Sequence, residues 1–294
     1  MPDPFTYIGY LAPQTTNIKL GTAVMTLPFS NPVRVAENTG FVDILTGGRF
    51  ILGIGSGYRP YECEGFGVDF DARRDIQEES VKVMLDLFHT GQVNLQGTYG
   101  SYKVEGDYQL YPVPVQRPHP PIYMAAGTER SMGFAGTHGF GMMLSTLPAF
   151  DTLAEQIKFY RQQCEQAPAP LNENPACGQV DIARWVYVAE TDEQAKADSE
   201  EGILRHLKVF QAKNTAGYLG SVSEKGADAE LNYDELVETT IIHGSPETVI
   251  RRINELKDAT GLDSLLLHYP PYYCTEKVKK MLKLFAEQVM PAFR

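Results

Sequence analysis

A short polar motif in the middle of the chain has the residue types of an anion site. The segment Ala125 to Ser131 reads AAGTERS and closes an apolar stretch. Gly127 turns the chain, and Thr128 and Ser131 lie at a helix start whose free N–H groups favour a phosphate. A plain N-cap by Thr128 explains the same pattern but leaves Ser131 without a role. The residues alone support both interpretations equally.

A second motif carries alternate glycines after another apolar stretch. Gly53, Gly55 and Gly57 have GxGxG spacing, and the following residues, GYRPYECEGFGVDF, are typical of a loop. A dinucleotide site needs GxGxxG at the start of a helix, so this class of site is disfavoured. The glycines fit either a tight strand end or a strand end packed beneath a flat ring.

Ionisable side chains do not form a convincing catalytic group. The six histidines are scattered, and His268, at the end of the last apolar stretch, is the one that could face a cavity. Glu62 and Glu64 are two residues apart in a loop, whereas glycosidase carboxylates normally come from different strands. A glycoside hydrolase is therefore discounted, and the catalytic residues stay unassigned.

Short apolar runs alternate with amphipathic stretches along the chain, which is typical of a parallel sheet with connecting helices. Ser30 or Asn31 followed by Pro32 begins one helix, and Ser245 followed by Pro246 begins another. The predicted strands are Ile18 to Met25, Phe50 to Gly55, Ile122 to Ala126, Gly141 to Ser145, Ile182 to Ala189 and Ser264 to His268.

We expect one domain, 1–294, with two insertions. The segment 91–121 is rich in Gly and Pro and predicts a hairpin or extended loop over one end of the sheet, and 212–230 predicts a mobile insertion. About six strands of an eight-stranded (β/α) barrel can be recognised, so we expect an α/β TIM barrel that is incomplete at its N-terminus.

Composition excludes several classes of protein. The net charge of -11 and the lack of a dense Lys/Arg cluster argue against nucleic acid. Four scattered cysteines suggest neither a metal site nor disulfides, and we take them as reduced thiols of a cytoplasmic protein. Apolar runs long enough for a membrane span are missing, so we expect no membrane insertion.

Four segments together resemble the bacterial luciferase-like flavin-dependent oxidoreductases, and they span nearly the whole chain. The longest, LGTAVMTLPFSNPVRVAENTGFVDILTGGRFILGIGSGY, matches the third strand, third helix and fourth strand of the family. In the family, a strand, a helix and a second strand precede the position of Asp3, with a histidine-bearing loop that we expect this chain to lack. The segments are Leu20 to Tyr58, Phe66 to Ser80, Pro120 to Met143 and His243 to Tyr269.

The resemblance implies a flavin site and places residues in it. Thr22 and Ala23 occupy the position of a non-proline cis peptide beneath the flavin ring, and Thr146 lines the other side of the ring. Arg74 matches a phosphate-binding arginine, although Arg73 beside it makes the choice ambiguous. The residues implied in cofactor binding are Thr22, Ala23, Gly55, Ser56, Arg74, Gly127, Thr128, Ser131 and Thr146, with no metal.

The function implied is that of a monooxygenase which uses reduced FMN and O2 to oxidise a small organic substrate. A separate flavin reductase would supply the reduced FMN, and the protein would orient the cofactor and exclude water. One alternative is hydride transfer with the deazaflavin F420. A second is a flavin-binding protein without turnover. The resemblance also implies a homodimer that packs around the helix Pro32 to Leu45, through Val35, Thr39 and Val42.

Overall fold

A computed structural model describes residues 3–212 and 231–293. The described chain divides into two compact units. The first unit comprises Met1–Met142 and Gln162–Gly178, and the second comprises Met143–Arg161 and Gln179–Arg294. Of the predicted insertion 212–230, all but the first residue lies outside the described residues, and its conformation stays a prediction.

The first unit contains parallel strands flanked by helices. Strand β3 lies between the two short strands β1 and β2 on one side and β6 on the other, and β7 follows β6 in the order. The helices are α1 (Pro4–Leu11), α2 (Pro32–Leu45), α3 (Pro60–Gly65), α4 (Arg73–Thr90) and α5 (Glu129–Thr137). The strands are β1 (Leu20–Gly21), β2 (Met25–Thr26), β3 (Phe50–Gly55), β4 (Val93–Gln96), β5 (Ser101–Val104), β6 (Ile122–Ala125) and β7 (Gly141–Leu144), whose last two residues belong to the second unit.

Strand β3 forms the centre of the first unit. Phe50, Leu52 and Ile54 point to one face of the strand and are at most 1% exposed. Gly53 and Gly55, on the other face, are also buried. Leu52 pairs with Ile122 in β6, and Phe50 pairs with Leu20 in β1. The prediction of a strand from Phe50 to Gly55 is confirmed, with the same bounds.

Helix α2 begins as its sequence predicts but is buried over more of its surface than predicted. The side chain of Asn31 accepts hydrogen bonds from the N–H groups of Val33 and Arg34, and Pro32 occupies the first helical position. Val35, Thr39 and Val42, predicted to form an outer face, are at most 3% exposed. That prediction is wrong because these side chains lie in the core of the first unit, in which α2 and α4 are in contact. Phe41, Ile44 and Leu45 are the exposed apolar side chains of the helix.

The Gly- and Pro-rich segment 91–121 contains a hairpin, as predicted. Strands β4 and β5 pair antiparallel, from Val93 opposite Val104 to Gln96 opposite Ser101. The turn of this hairpin contacts α4, because the carboxylate of Glu79 accepts hydrogen bonds from the N–H groups of Thr98 and Tyr99. The hairpin turn therefore lies against α4, while Gln116 of the same segment donates from Nε2 to the carbonyl oxygen of Phe50, at the start of β3, at 2.8 Å.

The second unit is built on the long strand β8, which follows β7 in the order and pairs in parallel with β9 and β10. A cluster of buried side chains that includes Trp185, Ile203 and Leu207 packs α7 against β8. The strands are β8 (Val180–Val188), β9 (Ile242–Gly244) and β10 (Ser264–His268). The helices are α6 (Phe150–Cys164), whose last three residues belong to the first unit, α7 (Asp192–Ala212), α8 (Tyr233–Thr239), α9 (Pro246–Thr260) and α10 (Thr275–Leu284).

Candidate functional site

Between β1 and β2, a buried hydroxyl group takes the place of backbone hydrogen bonds to β3. The predicted strand Ile18 to Met25 is split into two short strands that both pair with β3. From Gly21 to Met25 the chain advances four residues while β3 advances three, from Ile51 to Ile54. An extra residue of this kind interrupts the ladder of hydrogen bonds.

Thr22 closes that interruption. It is 3% exposed, and its Oγ1 donates to the carbonyl oxygen of Gly53 at 2.7 Å and accepts from the N–H of Gly53 at 2.9 Å. The non-proline cis peptide bond lies between Ala23 and Val24, one residue beyond the pair Thr22 and Ala23 that the family resemblance singles out. Thr22 thus holds this segment against β3, and the side chain of Ala23 is exposed.

The glycine at the end of β3 makes room for a side chain of the neighbouring segment. A methyl group placed on Gly55 would lie 2.6 Å from Cγ2 of Val24 and 3.7 Å from Cβ of Ala125. The space above Gly55 is therefore occupied by protein atoms, so the flat-ring explanation of this glycine is corrected. Ser56, the next residue, is half-buried, and its Oγ lies 3.4 Å from the carbonyl oxygen of Gly57.

The segment after β3 is partly helical rather than a loop. Helix α3 begins at Pro60, and Gly57, with φ of 79°, reverses the chain before it. Arg73 ties this segment to α4, because its Nε donates to the carbonyl oxygen of Gly57 at 3.1 Å and its Nη1 donates to that of Phe70. Its guanidinium also lies 3.7 Å above the ring of Phe70.

Arg73 and Arg74 consequently have different roles. Arg73 is fixed by two carbonyl oxygens and a ring. The half-buried side chain of Arg74 makes no hydrogen bond or ion pair with any residue in the described ranges 3–212 and 231–293. Arg74 is thus the arginine of this pair that is available to an anion, and the structure separates two residues between which the sequence did not decide.

The N-terminus of α5 is capped reciprocally. The side chain of Thr128 accepts from the N–H of Ser131, and Oγ of Ser131 accepts from the N–H groups of Gly127 and Thr128 at 3.2 Å and 3.1 Å. The argument that a plain cap leaves Ser131 without a role is therefore wrong. The N–H groups of Glu129 and Arg130 are the donors of this turn that bind no other residue within the described part of the chain.

A residue that the sequence analysis did not single out joins α4 to α5. Nε of Arg130 donates to Oε1 of Glu78 at 2.8 Å, and Nη2 forms an ion pair with Asp75. The hydrogen bond from Arg130 lowers the pKa of the Asp75 carboxyl. An arginine in the first turn of a helix opposes the helix dipole, which is the signal in the sequence that Arg130 needs acidic partners.

In the first unit, the structure thus places the candidate residues in two groups. Thr22, Ala23 and Gly55 lie where β1 and β2 meet β3, and Ser56 follows directly. Gly127, Thr128 and Ser131 lie at the start of α5, on the turn that Arg130 ties to the turn of Arg74.

Two candidates belong to the second unit. Thr146 is 4% exposed and follows β7. The residues beside it are held by Arg184, a buried arginine of β8, which donates to the carbonyl oxygens of Ser145 and Pro148, each at 2.8 Å. His268 ends β10, is exposed, and lies edge-on to the ring of Trp185 with ring centres 5.2 Å apart.

The second unit also contains a buried polar cluster that the sequence analysis missed. Nδ1 of His243 lies 2.9 Å from Oγ of Ser199 and 3.1 Å from the hydroxyl of Tyr233. Burial lowers the pKa of His243 to about 3, so the ring is neutral near pH 7. The cluster links β9 to α7 and α8, and we regard its role as structural.

Groups of three or more His, Cys, Asp or Glu side chains that could hold a metal ion do not occur among the described residues. The helices of the described ranges are all too short or too polar to cross a membrane.

Comparison with known proteins decides the family. The family model described as luciferase-like monooxygenase matches residues 1–264. The chain belongs to the luciferase-like monooxygenase family. Its members are enzymes of oxidation and reduction, and this chain is an oxidoreductase of that family.

Relatives with known activities include both kinds of cofactor chemistry that the sequence suggested. The 4-hydroxyprotoasukamycin monooxygenase of Streptomyces nodosus is 30% identical, covering 99% of this chain and 78% of its own length. The oxygenase component of the flavin-dependent trigonelline monooxygenase of Acinetobacter baylyi is 26% identical, with coverage of 99% and 81%. The F420-dependent glucose-6-phosphate dehydrogenase of Amycolatopsis mediterranei is 25% identical, with coverage of 100% and 84%.

Solved structures show the fold. The monooxygenase RslO1 of Streptomyces bottropensis superimposes with a TM-score of 0.81 at 22% identity, over 100% of this chain and 84% of its own. The oxygenating constituent of 3,6-diketocamphane monooxygenase of Pseudomonas putida, in complex with FMN, gives a TM-score of 0.79 at 24% identity, over 99% and 84%. The prediction of a luciferase-like (β/α)-barrel fold is confirmed.

Proposed function

We propose that the protein is a flavin-dependent monooxygenase that uses reduced FMN and O2 to oxidise a small organic substrate. The proposal rests on the family and on the monooxygenases among its relatives. The observation that supports a cofactor with a phosphate group is the guanidinium of Arg74, which has no partner among residues 3–212 and 231–293 and lies on the turn tied to the start of α5.

The donors at this place fit a phosphate. Arg74 provides a permanent positive charge. The N–H groups of Glu129 and Arg130 lie at the N-terminus of α5, which is the positive end of the helix dipole. The hydroxyl of Thr128 adds a further polar group on the same turn. Open space suits a ligand here, because a methyl group placed on Gly127 would meet no atom within 4 Å.

The cofactor and the protein divide the work. Reduced FMN supplies the electrons that activate O2. Arg74 and the first turn of α5 would anchor its phosphate, while Thr22, Ala23 and Ser56 would lie along the ring. The substrate is proposed only as a small organic molecule.

The partners follow from the same proposal. We propose a separate flavin reductase, since one relative is named as an oxygenase component. We also propose a homodimer and a cytoplasmic location.

A matched pair of variants tests the phosphate site. Arg74→Ala removes a charge-assisted hydrogen bond of about 1.5 to 3 kcal/mol, so the affinity for FMN should fall roughly 10- to 100-fold. Riboflavin, which lacks the phosphate, should lose little affinity. Arg34→Ala, which removes an exposed arginine of α2, is the control and should bind FMN as the unchanged protein does. Equal losses of FMN and riboflavin with Arg74→Ala would assign Arg74 a structural role.

Hydride transfer with F420 is the second candidate because relatives of comparable identity are F420-dependent dehydrogenases. Equilibrium dialysis with FMN, reduced FMN and F420 distinguishes the two proposals. Tighter binding of either form of FMN supports the monooxygenase. Tighter binding of F420, with substrate oxidation that proceeds without O2, supports the alternative.

A further inference from the structure

Arg130 lies between two carboxylates of α4. Its guanidinium binds Glu78 through Nε at 2.8 Å and Asp75 through Nη2. These side chains are 27% and 45% exposed, and that of Arg130 is 48% exposed. Pairs exposed to this degree contribute little to the stability of a fold. Their effect on neighbouring charges is a separate question.

Arg74 and Glu78 are neighbours on the surface of α4. They stand four residues apart in the helix, a spacing at which arginine and glutamate side chains can form an ion pair. The pair is not formed in the structure: Oε1 of Glu78 accepts from Arg130, and Arg74 has no partner in the described chain. Arg130 therefore competes with Arg74 for Glu78.

The turn of α4 that carries these residues also contacts the hairpin of β4 and β5. The hydroxyl of Tyr99 lies 3.4 Å from Oδ2 of Asp75, and Glu79 accepts from the N–H groups of Thr98 and Tyr99. A methyl group placed on Gly97 would lie 2.3 Å from the carboxyl carbon of Glu79, so this turn packs closely on the helix. Removal of Arg130 would thus leave α4 anchored, and the main change would be in charge.

We propose that Arg130 is a positioning residue for the cofactor phosphate. By holding Glu78 and Asp75, it keeps the guanidinium of Arg74 free for the anion and cancels two negative charges beside the phosphate. This inference rests on the proposed function, because it concerns the phosphate site defined there. Arg130 acts through Arg74 and the two carboxylates rather than by its own contact with the cofactor.

Titration calorimetry with FMN and with riboflavin tests the inference. In Arg130→Ala, Glu78 is released and can pair with Arg74, so the dissociation constant for FMN should rise about 2- to 5-fold, the effect of one or two exposed ion pairs. The rise should shrink at high salt, which screens exposed charges. Binding of riboflavin should stay the same within error.

Combined variants separate charge from structure. Arg130→Ala with Glu78→Gln should regain most of the lost FMN affinity, because the competitor of Arg74 is gone, and Arg130→Lys should retain most of it. Glu78→Gln alone should not weaken FMN binding. This single variant tests the inference even if Arg130→Ala folds poorly. If Arg130 were only a mechanical link between α4 and α5, Glu78→Gln would weaken that link and FMN binding would fall.

The outcomes distinguish this inference from the proposed function. If the unchanged protein binds FMN no more tightly than riboflavin, the phosphate site itself is wrong. If it prefers FMN and Arg130→Ala keeps the full preference, the role of Arg130 is wrong while the site stands. Equal losses for both ligands, or no recovery in the double variant, would also overturn the inference.

Discussion

The side chain of Thr22 is bonded to both backbone polar groups of Gly53. Its hydroxyl donates to the carbonyl oxygen at 2.7 Å and accepts from the N–H at 2.9 Å, in a place where Thr22 is 3% exposed. Backbone groups buried in this way need partners, because an unsatisfied one costs about 1 to 3 kcal/mol. The two short strands β1 and β2 are thus joined to β3 through a side chain.

Replacing this hydroxyl by a methyl group should destabilise the protein. Thr22→Val keeps the shape of the side chain but leaves the backbone of Gly53 unsatisfied, so the free energy of unfolding should fall by about 1 to 3 kcal/mol. Thr22→Ser keeps the hydroxyl and is the control, with a smaller loss. Urea denaturation followed by circular dichroism measures both. A Val variant as stable as the Ser variant would contradict the prediction.

Gly55→Ala should destabilise the end of β3. The added methyl group would lie 2.6 Å from Cγ2 of Val24, and overpacking of this kind costs about 1 to 3 kcal/mol. Val24→Ala in the same chain should restore part of the loss, because the opposing methyl groups are removed. Gly127→Ala, which meets no atom within 4 Å, should change stability by less than about 0.5 kcal/mol. Thermal melting of the four proteins gives the comparison.

His243 should make stability depend on pH. Burial lowers its pKa from 6.5 to about 3 in the folded protein. The unfolded chain therefore binds a proton that the folded protein does not, between these values. The stability that the neutral ring of His243 contributes is fully present above about pH 6.5 and is lost as pH falls towards 3. At pH 5 the loss is about 2 kcal/mol.

The variant His243→Gln isolates this effect. Burial also lowers the pKa values of His119 and His138, but those groups contribute equally to both proteins. Urea midpoints between pH 5 and 7 should fall less steeply with acid in the variant. Parallel curves for the two proteins would show that His243 does not titrate as proposed.

The proposed homodimer should use the exposed apolar side chains of α2. Phe41, Ile44 and Leu45 are 53%, 44% and 46% exposed, and apolar groups clustered on one helix favour an interface. Phe41→Glu should convert a dimer to a monomer in light scattering at micromolar concentration. Met290→Glu alters a side chain that is 41% exposed and should leave the dimer intact. An unchanged protein that is monomeric would reject the proposal.

Local features of the fold were predictable from the sequence because they depend on residues close together in the chain. Strands Phe50–Gly55 and Ser264–His268 have the predicted bounds. The N-caps of Asn31, Thr128 and Ser245 are formed as their sequences indicate. Arg49, between the end of α2 and the start of β3, donates to the carbonyl oxygens of Thr46 and Ile18.

Tertiary structure decided the environment of side chains for which the local sequence allowed more than one. Val35, Thr39 and Val42 of α2 were expected at a dimer interface, but in the folded chain they are buried within the first unit. Arg73 and Arg74 are adjacent and chemically identical, yet the backbone of Gly57 and Phe70 takes one guanidinium and leaves the other free. Such choices depend on partners that the chain brings together only when it folds.

The sequence by itself determined the family, the order of strands and helices, and the residue types of the proposed anion site. It could not determine the setting of Arg130, because Asp75 and Glu78 precede it by more than fifty residues and only the meeting of α4 and α5 brings the three side chains within hydrogen-bonding distance. For the same reason the buried setting of His243 in β9 depended on Ser199 and Tyr233, which belong to helices α7 and α8. The pairing of a charged side chain and the burial of a side chain depend on residues that only folding brings together, so the sequence alone does not specify them.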